Sequence, residues 1–316
     1  MADEMTDFLW SVAAAGYSWG DFKEVDFSEP GRVVRVLTDA VPAGSMTTFN
    51  RYTPLGHGGL FQTFALETKP TELGIQQFAN KYGTLGVPTS IQLPPNSLGA
   101  GETIQAWAYE IVEMKRLVNL WDCARRARSK ELALKIHWDS EDRVAYREEV
   151  LLLGTRHPYV EEIASSVHRP DILARLKPRD LVAPAFWYVQ RKINEKLHKH
   201  NVTARLLWDA RDRNGERLTV HVVPGNLIGC LWLQFAKAVE GDRNYRQCEN
   251  CKLWFEIGGS RAARSDKRFC TPTCKAALHR KDRERARALH TAGRTPSQIA
   301  KELGKQIDTV KGWIRK

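Results

Sequence analysis

Hydrophobic positions change period several times along this 316-residue chain. Up to about residue 70 the apolar runs are short, β-branched or aromatic, and separated by Pro and Gly. The runs VVRVL (33–37), TTFNRY (47–52) and LFQTFAL (60–66) therefore predict strands. From Thr71 the spacing becomes three and four, with Ile75, Phe78, Ala79 and Tyr82 on one helical face that ends at Gly83. A longer helical pattern runs over 102–136 through Trp107, Ile111, Met114, Leu117 and Trp121. Further helices are predicted over 158–167 and 179–197, and a hairpin over 202–223 turning near Asn214-Gly215. After Pro224 an amphipathic helix carries the stripe Leu227, Ile228, Leu231, Trp232 and Phe235.

The last quarter is patterned differently. No further Pro and no Gly interrupts the run from Pro272 to Ala292, which predicts one helix of about 20 residues, about 30 Å long, or two collinear pieces. Thr271 is its N-cap, Pro272 its first residue and Gly293 its C′ residue. Its middle, HRKDRERAR (279–287), is polar all round, as suits a helix bridging two small cores. Two short helices follow around Gly304, the first facing inward with Ile299, Ala300 and Leu303, the second with Ile307, Val310, Trp313 and Ile314.

Charge separates the same segment from the rest. Residues 243–316 hold 19 Lys and Arg against 7 Asp and Glu, so they carry +12 while the preceding 242 residues carry −1. A near-neutral body with a basic end is the footprint of a polyanion binder. No stretch approaches the roughly 18 apolar residues of a membrane span, and the acidic start MADEMTDFLW does not read as a signal peptide. The expectation is a cytoplasmic, nucleoid-associated protein, where reduced cysteines serve as metal ligands more readily than as disulfides.

Four of the six cysteines have that spacing. Cys248-x2-Cys251 and, 18 residues later, Cys270-x3-Cys274 match a closed, all-thiolate structural zinc site, with Cys274 in the first turn of the 272–292 helix. Four thiolates leave no coordination position for a catalytic water. His279 could substitute for a ligand but, five residues past Cys274, is expected to face solvent or phosphate, and Cys123 and Cys230 to be ordinary buried or half-buried thiols. CENCKLWF followed by FCTPTCKAALHR resembles bacterial treble-clef fingers and the CGNR-type fingers of bacterial transcription regulators, although Lys275-Ala276-Ala277 stands where that type has Gly-Asn-Arg. The resemblance covers about 35 residues and implies a treble clef around one Zn²⁺.

Ala292-Gly293-Arg294-Thr295 followed by Ile299-Ala300 resembles the helix-turn-helix of resolvases and invertases. That resemblance implies a reading helix over about 307–315, with Gln306, Thr309, Lys311 and Arg315 toward base edges and Asp308 bonding cytosine or capping the helix. Arg280, Lys281, Arg283, Arg285 and Arg287 on the long helix would track phosphates, together with Arg261, Arg264, Lys267 and Arg268 in the finger loop.

The expected fold is α+β, in three parts. A mixed domain with many helices and a β-hairpin over 1–242 would sense an effector, bind a partner or dimerise; a four-cysteine finger would occupy 243–282, and a helix-turn-helix 283–316. The segment FALETKPTELGIQQFANKYGTLG (64–86), a Trp-bearing helix and GCLWLQFAKAV ahead of CxxC look like uncharacterised bacterial proteins with a similar finger.

No catalytic constellation emerges. Gly56-His57-Gly58-Gly59 lacks a nucleophile elbow, His137-Trp138-Asp139 lacks a nucleophile, and the run Arg125, Arg126, Arg128, Lys130 reads as a wet helix face. The expected function is a zinc-containing, sequence-specific double-stranded-DNA binder, a bacterial or phage transcription regulator acting as a homodimer. The alternatives are a recombination or transposition factor and a zinc-dependent protein–protein adaptor.

Overall fold

The computed structural model describes residues 8–25, 32–40, 47–93, 97–209, 217–258 and 266–315. The chain divides into two compact units, Met1–Asp242 and Arg243–Lys316, and both helices and strands are present in each.

In the first unit, β1 (Trp10–Ala13) pairs antiparallel with β4 (Phe49–Tyr52). The strands β2 (Tyr17–Glu24), β3 (Val33–Asp39), β5 (Thr89–Leu93) and β6 (Ser97–Thr103) close a small barrel in the order β2-β3-β6-β5. Its interior is Val34, Val36 and Ile91, with Phe22 packed against them.

The segment 60–66, expected as a strand, is helical instead. α1 (Leu60–Gln62) runs on into a wider π-type turn over Thr63–Glu67. The reason is visible in burial: Leu60, Phe61, Phe64 and Ala65 are buried while Leu66 is exposed, a spacing of three and four and not of two. α2 (Glu72–Tyr82) then follows the expected limits, with Thr71 capping the Gly74 amide and Gly83 at φ 88°.

α3 (Ile104–Arg125) is the central helix, and it packs on β8, α6 and α7, whose limits follow. It stops eleven residues before the expected end because Ala127 turns at φ 48°, and α4 (Ser129–Ala133) starts anew. Three strands then follow, β7 (Ile136–Ser140), β8 (Arg143–Leu152) and β9 (Thr155–Ser165), in one antiparallel sheet. This corrects the helix expected over 158–167. The missed signal was Leu153-Gly154, both at positive φ, a two-residue hairpin turn that sends β9 back along β8. Pro158 is tolerated because β9 is the sheet's edge.

Beyond α5 (Pro170–Leu173) come α6 (Val182–Lys199), the hairpin of β10 (Thr203–Asp209) with β11 (Arg217–Val223), and α7 (Leu227–Glu240), capped by Asn226 on the Gly229 amide. The turn at Asn214-Gly215 lies outside the described residues. Cys123 and Cys230 are buried, as expected.

Two polar clusters lie inside the helical layer, neither of which periodicity could announce. Arg116 is clamped by Glu113 at 2.7 Å and the Tyr188 hydroxyl at 2.7 Å, and its guanidinium lies 3.8 Å from the centre of the Tyr159 ring. Glu110, also buried, accepts from Lys196 Nζ at 2.8 Å, His200 Nε2 at 3.2 Å and Trp232 Nε1 at 3.2 Å. Burial alone would raise the Glu110 pKa, but His200 and Lys196 outweigh it and hold it at about 2.

An unfolded glutamate titrates near 4.3, so the folded value is the depressed one, and the stabilisation is full above about pH 5 and lost as pH falls toward 2. Denaturant titrations between pH 6 and 3 should therefore show stability falling by a large part of about 3 kcal/mol, and Glu110→Gln should flatten that slope. An equal slope in the variant would show that other carboxylates govern it.

Candidate metal centre and its helical unit

The second unit begins with β12 (Asn244–Gln247) and β13 (Trp254–Ile257), an antiparallel hairpin in register Gln247↔Trp254. The connecting turn holds the first two cysteines. Cys248 donates its amide to the Leu253 carbonyl at 2.9 Å, and Lys252 donates its own to the Cys248 carbonyl at 2.9 Å. Closing so tight a loop forces Lys252 to φ 61°, a conformation that a side chain disfavours. The exposed amides of the turn point inward. Those of Cys251 and Asn250 bond the Cys248 sulfur, joined by that of Cys270.

The second pair lies at the start of α8 (Pro272–Thr291). Thr271 caps it by accepting from the Cys274 amide at 3.2 Å, which places Cys274 in the first turn with the helix dipole directed at its sulfur. The helix has 20 residues, Ala292 closes it, and Gly293 follows at φ 83°.

The four thiols converge. The Cys248, Cys251, Cys270 and Cys274 sulfurs all lie within 4.8 Å of one another, with 3.6 Å between Cys251 and Cys270 and 3.4 Å between Cys270 and Cys274. No disulfide joins them. A tetrahedral centre with metal–sulfur bonds of about 2.3 Å separates its ligands by roughly 3.8 Å, which these distances bracket. The group can hold a metal ion.

Its acid–base balance points the same way. Burial opposes the Cys248 thiolate, but the three amides outweigh it and bring its pKa down to about 6. Cys274 is lowered by the side chains of Asn250 and Cys270. Cys251 is raised by burial and its neighbours' sulfurs, and Cys270 is pushed up to about 12 for the same reasons. Thiolates this close repel one another, so some protons stay until a cation takes their place.

The far half of α8 belongs to a separate apolar cluster. α9 (Pro296–Leu303) starts with a reciprocal cap, in which Thr295 Oγ1 accepts from the Gln298 amide and the Gln298 side chain accepts from the Thr295 amide. Gly304 turns the chain in the left-handed region at φ 61° and ψ 38°, and α10 (Ile307–Ile314) follows. Ala286, Ile299, Ala300, Val310 and Trp313 are buried together, with Leu289 and Leu303 packed against them. Ala286 thus interrupts the all-polar middle expected of α8, and Ile307, expected inward, is 43% exposed. His279 meets the Trp313 ring edge-on at 5.2 Å.

On α10, Gln306, Thr309, Lys311 and Arg315 are all exposed, while Val310 and Trp313 are buried. Gln306 occupies the N-cap position without a side-chain cap, and Asp308 lies 3.5 Å from Lys311. The basic residues of α8 divide into two sets. Arg280 and Lys281 are exposed, and Lys281 reaches Asn250 at 3.3 Å. Arg283 is half-buried, Arg285 pairs with Glu302 at 2.9 Å, and Arg287 donates from Nε to the Trp313 carbonyl at 2.9 Å. Lys267 stands 5.3 Å from the centre of the Phe255 ring, and Arg268 pairs with Glu249. Arg261 and Arg264 lie outside the described residues.

Sequence reasoning missed Asn250, which bonds both the Cys274 sulfur and Lys281. Its place between the two cysteines of the tight turn was the available signal.

The candidate catalytic arrangements of the first unit take structural roles. Gln234 Nε2 donates to the His57 carbonyl at 3.1 Å and so anchors the Gly-rich turn. His137 and Trp138 lie on β7, where Trp138 Nε1 donates to the Asp180 carbonyl at 2.7 Å. Arg125, Arg126 and Arg128 gather around Asp122. Among the described residues no helix is long and apolar enough to cross a membrane. In comparisons with known proteins, no family model, curated protein or solved structure matches this chain.

Proposed function

We propose that this chain is a zinc-containing, sequence-specific DNA-binding protein, a transcription regulator of bacterial or phage type in which residues 243–316 read the duplex. Zn²⁺ is the metal of choice for four thiolates at these separations, and a turn plus a helix start is the ligand arrangement of a treble clef. The observation that carries the reading is α8 itself. One helix carries Cys274 in its first turn, with Cys270 just ahead of its cap, and packs α9 and α10 at its far end, so the metal fixes the frame in which α9 and α10 stand. In this reading α9, Gly304 and α10 form a helix-turn-helix, and α10 enters the major groove with Gln306, Thr309, Lys311 and Arg315 outward. A single such unit reads few base pairs, so the chain acts as a homodimer on a two-fold site, and the first unit serves dimerisation or effector sensing.

The basic residues most available to phosphate are Arg280 and Arg315, together with Lys281 and Lys311, whose contacts to Asn250 and Asp308 are exposed and exchangeable with a phosphate, while Lys267, Arg268, Arg285 and Arg287 are engaged within the unit. Log affinity should then fall with log salt at a slope of about −4 per unit.

Selection of bound fragments from a random DNA pool should return one enriched motif. Lys311→Ala should relax it at one base pair, by about 1–3 kcal/mol, without changing metal content. Binding competed equally by any polyanion would replace the reading with a charge-driven adaptor, and Mg²⁺-dependent cleavage of supercoiled DNA would replace it with a recombination enzyme.

A further inference from the structure

Strands β10 and β11 form a sheet of their own, with no third strand among the described residues. Their register sets Ala204 opposite Val222, Leu206 opposite Val220 and Trp208 opposite Leu218. Because side chains alternate between faces along a strand, these six share one face. That face is in water: Leu206 is 61% exposed, Trp208 63%, Leu218 58%, Val220 71% and Val222 44%. On the opposite face Leu207, Thr219, His221 and Val223 are half-buried, while Thr203 and Arg205 are exposed. The hairpin therefore turns its most apolar side outward, the reverse of what an antiparallel pair does when its function is to cover its own core.

A two-stranded hairpin is marginal in water unless something packs on it. The five exposed large side chains present about 500 Å² of contiguous apolar surface, at the upper end of what a monomer shows. Two such faces together would bury about 1,000 Å², the level at which a specific protein–protein interface begins.

We propose that this face is the dimer contact, with the hairpin of a second copy of the chain laid on it about a two-fold axis. None of the six side chains is charged, so a charged partner would find nothing there to pair with. A two-fold axis needs only a patch complementary to itself, which a flat apolar face is. An anionic lipid surface is disfavoured as the occupant, because none of the six side chains is a Lys or Arg that could meet a headgroup. The choice of a second copy rests on the DNA-binding reading, which calls for two reading helices on one site.

The test is sedimentation equilibrium on the full metal-loaded chain, with Trp208→Lys and Val220→Asn beside the wild type. The wild type should sediment as a dimer at micromolar concentration. Each variant should weaken the dimer about a hundredfold or more while keeping its metal content and, at concentrations where the wild type is also monomeric, its melting temperature, since both side chains are already exposed. In parallel, amide exchange at 203–208 and 218–223 in the wild type should slow as protein concentration rises.

A monomeric wild type, variants that remain fully dimeric, or exchange independent of concentration would overturn the assignment. So would a monomer that partitions onto neutral phosphatidylcholine vesicles. A dimer that loses its hairpin protection on dilution but shows no DNA preference would sink the DNA reading and leave this contact standing.

Discussion

Removing the metal with a strong chelator, or replacing Cys270 with Ser, is expected to unfold residues 244–281 while the first unit keeps its own thermal transition. Among its described residues that stretch lacks a core of its own: Cys248 alone is fully buried, and every other side chain is half-buried or exposed. The β12–β13 hairpin has four residues per strand, too little to hold itself. Metal binding in isolated fingers is worth about 10–16 kcal/mol of apparent folding energy, and here no apolar cluster stands in reserve. Amide exchange should show Cys248, Lys252 and the first two turns of α8 losing protection together. Retained protection in the chelated protein would mean that the cysteines fold first and bind metal second.

Trp313→Ala should have the second largest effect, and it should leave the metal in place. Trp313 closes a cluster of only five buried residues and receives the His279 ring edge. Its carbonyl also takes the Arg287 side chain, so α8 and α10 are held at that one point by both packing and a hydrogen bond. Truncating a buried Trp costs about 3–5 kcal/mol, about all that a core this small supplies. The expected result is loss of α9 and α10 by NMR, loss of DNA affinity and one metal ion still bound per chain. If DNA affinity survives, the duplex is read elsewhere. Losing the metal as well would show that the two ends of α8 fold as one cooperative block.

The legible parts of the sequence were those governed by local rules. Thr71, Asn226, Thr271 and Thr295 each cap a helix from the side chain, and Gly83, Gly293 and Gly304 mark ends at positive φ, so α2, α7, α8 and α9 could be drawn closely. Cysteine spacing gave the metal cluster for the same reason, since a chelating turn and a helix start are each local structures. What stayed hidden depends on partners distant in sequence. β9 is a strand because β8 lies beside it, and its residues 158–163 carry a pattern that also fits a helix. Glu110 reads as a surface position of α3 until His200 and Trp232 arrive from elements 90 and 122 residues away. On α10 a wheel drawn from composition put Ile307 inside, whereas helix packing reached only Val310 and Trp313.

The unbroken course of α8 makes it a crankshaft. Each residue of an α-helix advances the chain about 1.5 Å and turns it about 100°, so a metal held at one end would set the angular phase of whatever is fastened to the other. Substitutions along Ala277–Arg285 cost only the contacts of single side chains, such as His279 with Trp313 or Arg285 with Glu302, but a single insertion there would swing α10 a quarter-turn or more away from its bearing. Only additions near whole turns preserve the phase, so a length change tolerated within α8 should be about seven residues, or none.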